Sequence, residues 1–564
     1  MPTTPCFIFS CTSCCSLLAA MMRQLSLRVA VILIAVSLSG NAFAAIGPVA
    51  SLQIVNTPIS PDGFPRSAVL ADGTFPGPLI QANKSEDFSL NVLNGLTNST
   101  MDLVTSVYKD ANPLQHWHGI WQWTTNYADG GAMVNQCPIV PGKSFLYQFN
   151  AGNQTGTYWY HSHYKAQYCD GLRGPLVIYD PNDPHRAEYD FDDENTVITL
   201  GDWYHAVSSA MSDFDSTLIN GKGRYPGGPQ DVPLAVVNVK SGFHYRLRLV
   251  SISCDPDYQF SIDNHQLTVI EVDGNNVKKV VVDSLDIFAG QRYSVVLYAN
   301  QTIGNYWIRA LPDGQDFADF TNVAILRYVD APVQDPPTDP NVNIPKSLLP
   351  LNETDLHPLV DTKVPGDPIR GGTDIQINLD VTLGPGPEGE EPFLINGKSY
   401  GSPDVPVLLQ ILSGVNTSTL CPQGSVIPLE GNKSVELSFP AGVEDGPHPI
   451  HLHGHSFFVV RSAGSSEYNY NDPVIRDVVN MGEDGDNVTI RFTTNNPGPW
   501  FFHCHIEEHL VRGFAVVFAE DPTRTKQTVP PPQWSTLCKD YNDFVGVQPT
   551  CVPNKPTPVL VVPP

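Results

Sequence analysis

The chain is 564 residues long, with 51 prolines, 44 glycines and a formal net charge of −26. That length exceeds one ordinary domain and predicts roughly three or four, with room for a large buried core. The acidic balance argues against a nucleic-acid partner, whose binding rests on clustered Lys and Arg, and fits an acidic or extracellular medium.

The first predicted element is a leader over residues 1–44. Within it, MMRQLSLRVAVILIAVSLSGNAFA at 21–44 has a basic start at Arg23 and Arg28, an apolar run from Val29 to Leu38, and Ala42-Phe43-Ala44. This is the pattern of a secretory signal with an A-x-A cleavage site, and it predicts a secreted, extracellular mature chain starting near Ala45. A membrane anchor is the competing reading, but the run is short for a span. Residues 1–20, with Cys6, Cys11, Cys14 and Cys15, are read as part of the leader or as an extension upstream of a start at Met21 or Met22. No second long apolar segment follows, so no membrane partner is expected.

Beyond the leader stand Cys137, Cys169, Cys254, Cys421, Cys504, Cys538 and Cys551, an odd number that leaves one thiol free in an oxidising compartment. Eight N-x-S/T sequons, at Asn83, Asn98, Asn153, Asn300, Asn352, Asn416, Asn432 and Asn487, fit a secreted glycoprotein. Short apolar and β-branched runs recur along the body, among them SLNVL, GPLVIYD, NTVITL, YSVVLYA, NVTIRF and AVVFAE, separated by turn residues. Long stretches of helical period are missing, which predicts an all-β chain of sandwich domains. YDPNDPHRAEYD at 179–190 and the Pro-rich APVQDPPTDPNVNIPKSLLP at 331–350 mark boundaries. Three domains are expected, over 45–180, 181–350 and 351–564, the last with an extended C-terminal tail.

The histidines cluster in four places: HWHG (His116, His118), HSH (His161, His163), HPIHLHGH (His448, His451, His453, His455) and HCHIEEH (His503, His505, His509). In a strand residues i and i+2 face the same side, so each H-x-H pair can grip one metal or two adjacent ones. One such pair is most simply two polar residues on a wet strand; four clusters in one chain are not. The isolated His185, His205, His244, His265 and His357 are read as surface or structural residues.

In WFFHCHIEEHLVRGF, at 500–514, an extended backbone would point His503 and His505 to one side and Cys504 to the other. A thiolate and two imidazoles then stand back to back, which suits electron transfer between two metal centres. A His₂Cys set with a weak or missing axial ligand is the blue-copper pattern, with His509 five residues after Cys504 and His448 as the second imidazole. Phe514 stands where such sites commonly place a weak Met, and a residue that cannot ligate should raise the reduction potential.

These motifs, their order and their spacing resemble the multicopper oxidases, and more narrowly the fungal laccases of basidiomycete type. HSHYKAQYCDGLRGPLVIYDPNDP, RLRLVSISCDP and NNPGPWFFHCHIEEHLVRGFAVVFAEDP carry the resemblance, which runs from about Ala45 to about Cys538. It implies three cupredoxin-like Greek-key sandwiches and four copper ions. Type 1 copper falls to His448, Cys504 and His509; type 2 to His116 and His451; the type 3 pair to His118, His161, His163, His453, His503 and His505. His455 is left as a supporting or structural residue.

The implied activity is one-electron oxidation of small phenolic or aromatic-amine substrates, coupled to four-electron reduction of O₂ to water. Electrons would arrive at His509 and pass through Cys504 to His503 and His505. The resemblance also points to Asp255 as the substrate-binding acid and to Asp129 as a carboxylate assisting proton delivery at the trinuclear cluster. It implies Cys137–Cys538 and Cys169–Cys254 disulfides and a monomer. Cys421 and Cys551 stand outside the common pattern and are expected to form a third bridge, pinning the tail. Arg512, in LVR where LEA is familiar, lies close to the type 1 residues and tempers the expectation of a high potential.

The rival readings are a ferroxidase, normally tethered by a C-terminal membrane helix that this Pro-rich tail lacks, and ascorbate oxidase, whose type 1 site resembles the Met-containing pattern. A non-catalytic cupredoxin-like binding protein would typically show an eroded ligand set, whereas this one is complete.

Overall fold

Alternation builds the strands. Along Asp87–Asn94 (DFSLNVLN), Phe88, Leu90, Val92 and Asn94 are buried and the residues between them are not. Antiparallel pairing with Ser144–Asn150 then sets Phe88 opposite Phe149, Leu90 opposite Tyr147 and Val92 opposite Phe145. Such cross-strand apolar pairs are the units from which a sheet draws its stability. The computed structural model describes residues 45–97, 113–207, 213–312, 322–340, 348–385, 391–443 and 446–546. The leader, the Asn98 sequon, Cys551 and the C-terminal tail lie outside these residues.

The described chain is mostly strand, arranged as three successive cupredoxin-like sandwiches. Two four-stranded sheets come from strands between Val49 and Tyr179; a six- and a five-stranded sheet from Val197 to Tyr328; two five-stranded sheets and a two-stranded ribbon from Ile375 to Glu520. The same two parallel pairs recur in each. They are Val49–Ile59 with Asp87–Asn94 and Ile80–Asn83 with Arg173–Tyr179 in the first sandwich. In the second they are Val197–Trp203 with His244–Ser251 and Val236–Val239 with Val323–Tyr328. In the third they are Ile375–Asn378 with Ser434–Pro440 and Val426–Leu429 with Ala515–Glu520. Parallel neighbours need crossover connections, so this recurrence marks one Greek-key plan used three times.

The first sandwich is closed from the far end of the chain. Helix Pro532–Val545 begins with Pro in its first turn and ends at Gly546 in the left-handed region, as helix ends favour. Its Trp534 and Leu537 enter the core formed by Leu52, Leu90, Tyr147 and Leu176, and Trp534 Nε1 donates to the Asn135 carbonyl at 3.1 Å. Cys538 is bonded to Cys137 and Cys169 to Cys254, as the resemblance implied. Cys421 is also disulfide-bonded, and Cys504 is a buried thiol outside any disulfide. Among the described residues no helix is long and apolar enough to cross a membrane.

Candidate metal centres

Four strands bring the histidines together: Gln115–His118 and Gly156–Ser162 of the first sandwich, Pro449–Leu452 and Gly498–Cys504 of the third. Register does the placing. His116 lies opposite His161, and His451 opposite His503. Where the two sheets face each other, the rings of His118 and His451 stack at 3.8 Å and those of His116 and His453 at 3.9 Å. Three sets of ligand atoms result, each within 4.8 Å: His118, His161 and His505; His163, His453 and His503; His116, His118 and His451. All eight of these imidazoles are buried. Burial and the neighbouring rings hold His163 and His505 down to about 3 and His118, His161, His451, His453 and His503 well below the usual histidine range, so these stay neutral in mild acid.

Hydrogen bonds fix which nitrogen is left over. Nδ1 of His116, His161 and His451 donates to the carbonyls of Asp129, Ser162 and Asp477 at 2.7, 2.8 and 2.8 Å, and Nε2 of each is buried with no partner. His503 Nδ1 donates to the Cys504 carbonyl at 2.7 Å and His453 Nδ1 to Asp129 Oδ2 at 2.9 Å, yet their Nε2 atoms face each other at 3.1 Å. Two lone pairs at that distance repel unless a cation is shared between them. The donor set therefore fits metal ions, with second partners orienting each ring as metal-binding histidines require.

On the opposite face of the same strand Cys504 Sγ lies 3.6 Å from His509 Nδ1 and 3.9 Å from His448 Nδ1. His448 Nε2 donates to the Val443 carbonyl at 2.6 Å, which turns Nδ1 toward the thiol. His509 rides on the short helix Glu507–Val511 and is the one partly exposed member. Phe514 packs beside the group, 5.4 Å from the His448 ring and stacked on Phe393 at 4.7 Å. Arg512 lies over Phe393 at 4.9 Å and pairs with Glu508 at 3.5 Å, so its charge is partly answered locally.

Residues 53–183, 194–331 and 400–524 match the family descriptions of multicopper oxidases. A laccase of Trametes maxima is 55% identical over 510 residues, covering 88% of this chain and 99% of its own. The chain belongs to the multicopper oxidases, among their laccases. Such enzymes carry type 1, type 2 and type 3 copper. Among solved structures, the laccase of Botrytis aclada is 29% identical with a TM-score of 0.74, covering 90% of this chain and 94% of its own. Fet3p, a multicopper oxidase that functions in iron import, is 27% identical, also with a TM-score of 0.74, over 88% and 95%.

Two carboxylates of this multicopper oxidase escaped the sequence reading. Asp477 accepts from Arg292 in a fork, 2.6 Å on each arm, while its Oδ1 lies 3.3 Å from His118 Nε2 and its carbonyl orients His451. Glu507, inside HCHIEEH, is buried, which pushes its carboxyl well up, and it lines a cavity of about 480 Å³ with His163, Phe501 and Tyr541. Gly290 completes the packing: at φ +84° a Cβ would stand 2.9 Å from the His505 ring and 3.1 Å from His118.

The two predicted acids sit in different surroundings. Asp129 is fully buried and touches both His116 and His453. Asp255 is half-buried on the turn after Cys254, its N–H donating to Asp202 at 3.1 Å. Glu507 N–H donates to the Cys254 carbonyl at 3.0 Å, which ties that turn to the helix bearing His509. Burial, with Asp202, Glu508 and Asp213 nearby, pushes Asp255 up to about 7.

Proposed function

We propose that the protein acts as a secreted, monomeric laccase, oxidising phenols or aromatic amines one electron at a time and reducing O₂ to water. His448, Cys504 and His509 would hold type 1 copper; His116 and His451 type 2; His118, His161, His163, His453, His503 and His505 the type 3 pair. The observation that carries this reading is the strand Gly498–Cys504 and its next residue, which set one thiol and two imidazoles on opposite faces, with His503 Nδ1 bonded to the Cys504 carbonyl at 2.7 Å. Bound there, copper supplies one-electron transfer and the reduction of dioxygen. The protein's own residues orient the ligands, exclude water and manage protons. Asp129 can hold or pass a proton at Oδ2 beside His453. Domain boundaries near residues 180 and 350 belong to the same proposal.

Asp255 is proposed to accept the phenolic proton as the electron leaves. Asp255→Asn should lower kcat/KM for a methoxyphenol by about 100-fold, the lower end of what general-base catalysis typically contributes. A donor that releases no proton, such as ferrocyanide, should be oxidised nearly as before. The wild-type ratio of phenol to ferrocyanide oxidation should rise toward pH 7 as Asp255 ionises and should be flat in the variant; parallel profiles would reject the role. Linkage gives the sign for stability. The folded state holds this proton up to about 7 whereas an unfolded aspartate releases it near ~3.9, so this contribution is full at acid pH and falls as pH rises through that window.

Because the buried imidazoles aim lone pairs at one another, removing copper should destabilise the fold. Chelation should lower the melting temperature by several degrees and copper should restore it, since a ligand that binds only the native state stabilises it by mass action. An unchanged calorimetric transition would contradict the ligand set.

Oxygen uptake with a methoxyphenol, an aromatic diamine and Fe(II), offered separately to the copper-loaded protein, tests the reading as a whole. The likeness to Fet3p in fold equals that to the Botrytis laccase, so fold alone does not separate iron from phenol. The 55% identity to a laccase favours the phenol. A blue protein that prefers Fe(II) would move the assignment to the ferroxidases.

A further inference from the structure

A cleft of about 610 Å³ on the second sandwich shares no lining residue with the metal centres. Val281 and Val296 give it apolar surface, and Asn264, Gln266 and Gln301 give it a rim of amides. Tyr298, 44% exposed at the end of strand Arg292–Tyr298, stacks flat on His244, with ring centres 4.3 Å apart and planes 6° from parallel. An exposed aromatic platform beside converging amides is the chemistry that receives a sugar ring, whose C–H face is apolar and whose edge is hydroxylated.

Asn300 lines the same cleft, exposed, in the sequon Asn300-Gln301-Thr302 two residues after Tyr298. Asn300 Oδ1 accepts from Gln301 Nε2 at 2.8 Å, a bond that leaves the Nδ2 amino group uninvolved. The other seven sequons have Gln, Leu, Ala, Pro, Gly, Glu and Gly two residues before the asparagine, so only this one offers an aromatic ring there.

We propose that Asn300 carries an N-linked glycan whose first N-acetylglucosamine lies on Tyr298 and occupies this cleft. In the transfer, Asn300 Nδ2 bonds to C1 of that sugar, the C1–O bond to a polyprenyl diphosphate donor breaks, the amide gives up one proton and the diphosphate leaves. The proposal rests on the secreted reading, since that donor belongs to the secretory route. The ring covers apolar surface of Tyr298 and Val281 that otherwise faces water, so the glycan braces the second sandwich rather than trailing from it.

The test uses the full copper-loaded chain secreted from a eukaryotic host. Glycopeptide mass spectrometry reads occupancy, and hydrogen–deuterium exchange reads residues 264–268 and 298–302. Asn300 should be occupied on nearly all molecules. Exchange in both segments should be slower by about threefold or more than in Asn300→Gln, a shift within the range of local opening equilibria. Trimming to a single N-acetylglucosamine should keep that protection. Tyr298→Ala should keep the glycan and lose the protection. A bare Asn300 on chains glycosylated at other sequons would overturn this proposal alone, as would an occupied Asn300 with exchange equal to that of Asn300→Gln. Retention of the chain inside the host, with every sequon bare, would overturn the secreted reading with it.

Discussion

Replacing Cys504 by Ser is expected to abolish the intense visible absorption and the oxidase activity together, while the sandwiches stay folded. The thiol is fully buried and faces both His448 and His509. A serine hydroxyl is a hard, weakly acidic donor that does not reproduce a thiolate–copper bond. Loss of an outer partner of a metal ligand already costs about 10- to 100-fold, so loss of this ligand should exceed that. The change in side-chain volume is small, so apart from the lost copper the cost to stability should be that of a buried hydroxyl, about 1–3 kcal/mol. Copper content should fall by one ion of the four proposed. A blue, active Cys504→Ser protein would remove Cys504 from the electron path.

Asp477→Ala is expected to have the largest effect on stability. Arg292 is fully buried and its guanidinium is held chiefly by the two 2.6 Å bonds to Asp477. Removing one member of such a pair strands a buried charge and costs about 3–5 kcal/mol. Arg292 also donates to the Thr157 and Gly290 carbonyls at 3.0 and 2.9 Å and lies 3.7 Å from Asp273, which places the expected loss at the lower end. His118 would lose the carboxylate beside its Nε2 at the same time. Denaturant unfolding should therefore shift together with copper content at the His cluster. Asp477→Asn, which keeps the shape without the charge, should fall between. A loss under about 1 kcal/mol with full copper occupancy would show that Asp477 neither supports Arg292 nor orients the ring.

The clustering of the histidines was legible because their spacing coincides with the period of a strand, and the sandwiches because DFSLNVLN and its like alternate so regularly. Asp477 was not legible for a physical reason. Its partners, Arg292 and His118, are 185 and 359 residues away, on strands of the second and first sandwiches. Glu507 was hidden differently: in HCHIEEH it is one of two adjacent acids, and nothing local says that the first is buried and the second half-exposed. The recurring parallel pairs were invisible because a Greek-key plan constrains which strands neighbour each other, not which residues they contain.

The helix Pro532–Val545 gives the molecule an order of assembly. Residues made late, Trp534 and Leu537, complete the core of the sandwich made first, and Cys538 reaches back 401 residues to Cys137. A chain emerging from its N-terminus can form the first sandwich only with a gap in its wall. Histidines of that sandwich wait for those of the third. The four histidine clusters thus come together only after the third sandwich has been made, which keeps a shorter chain from assembling a candidate metal centre that it could not yet shield.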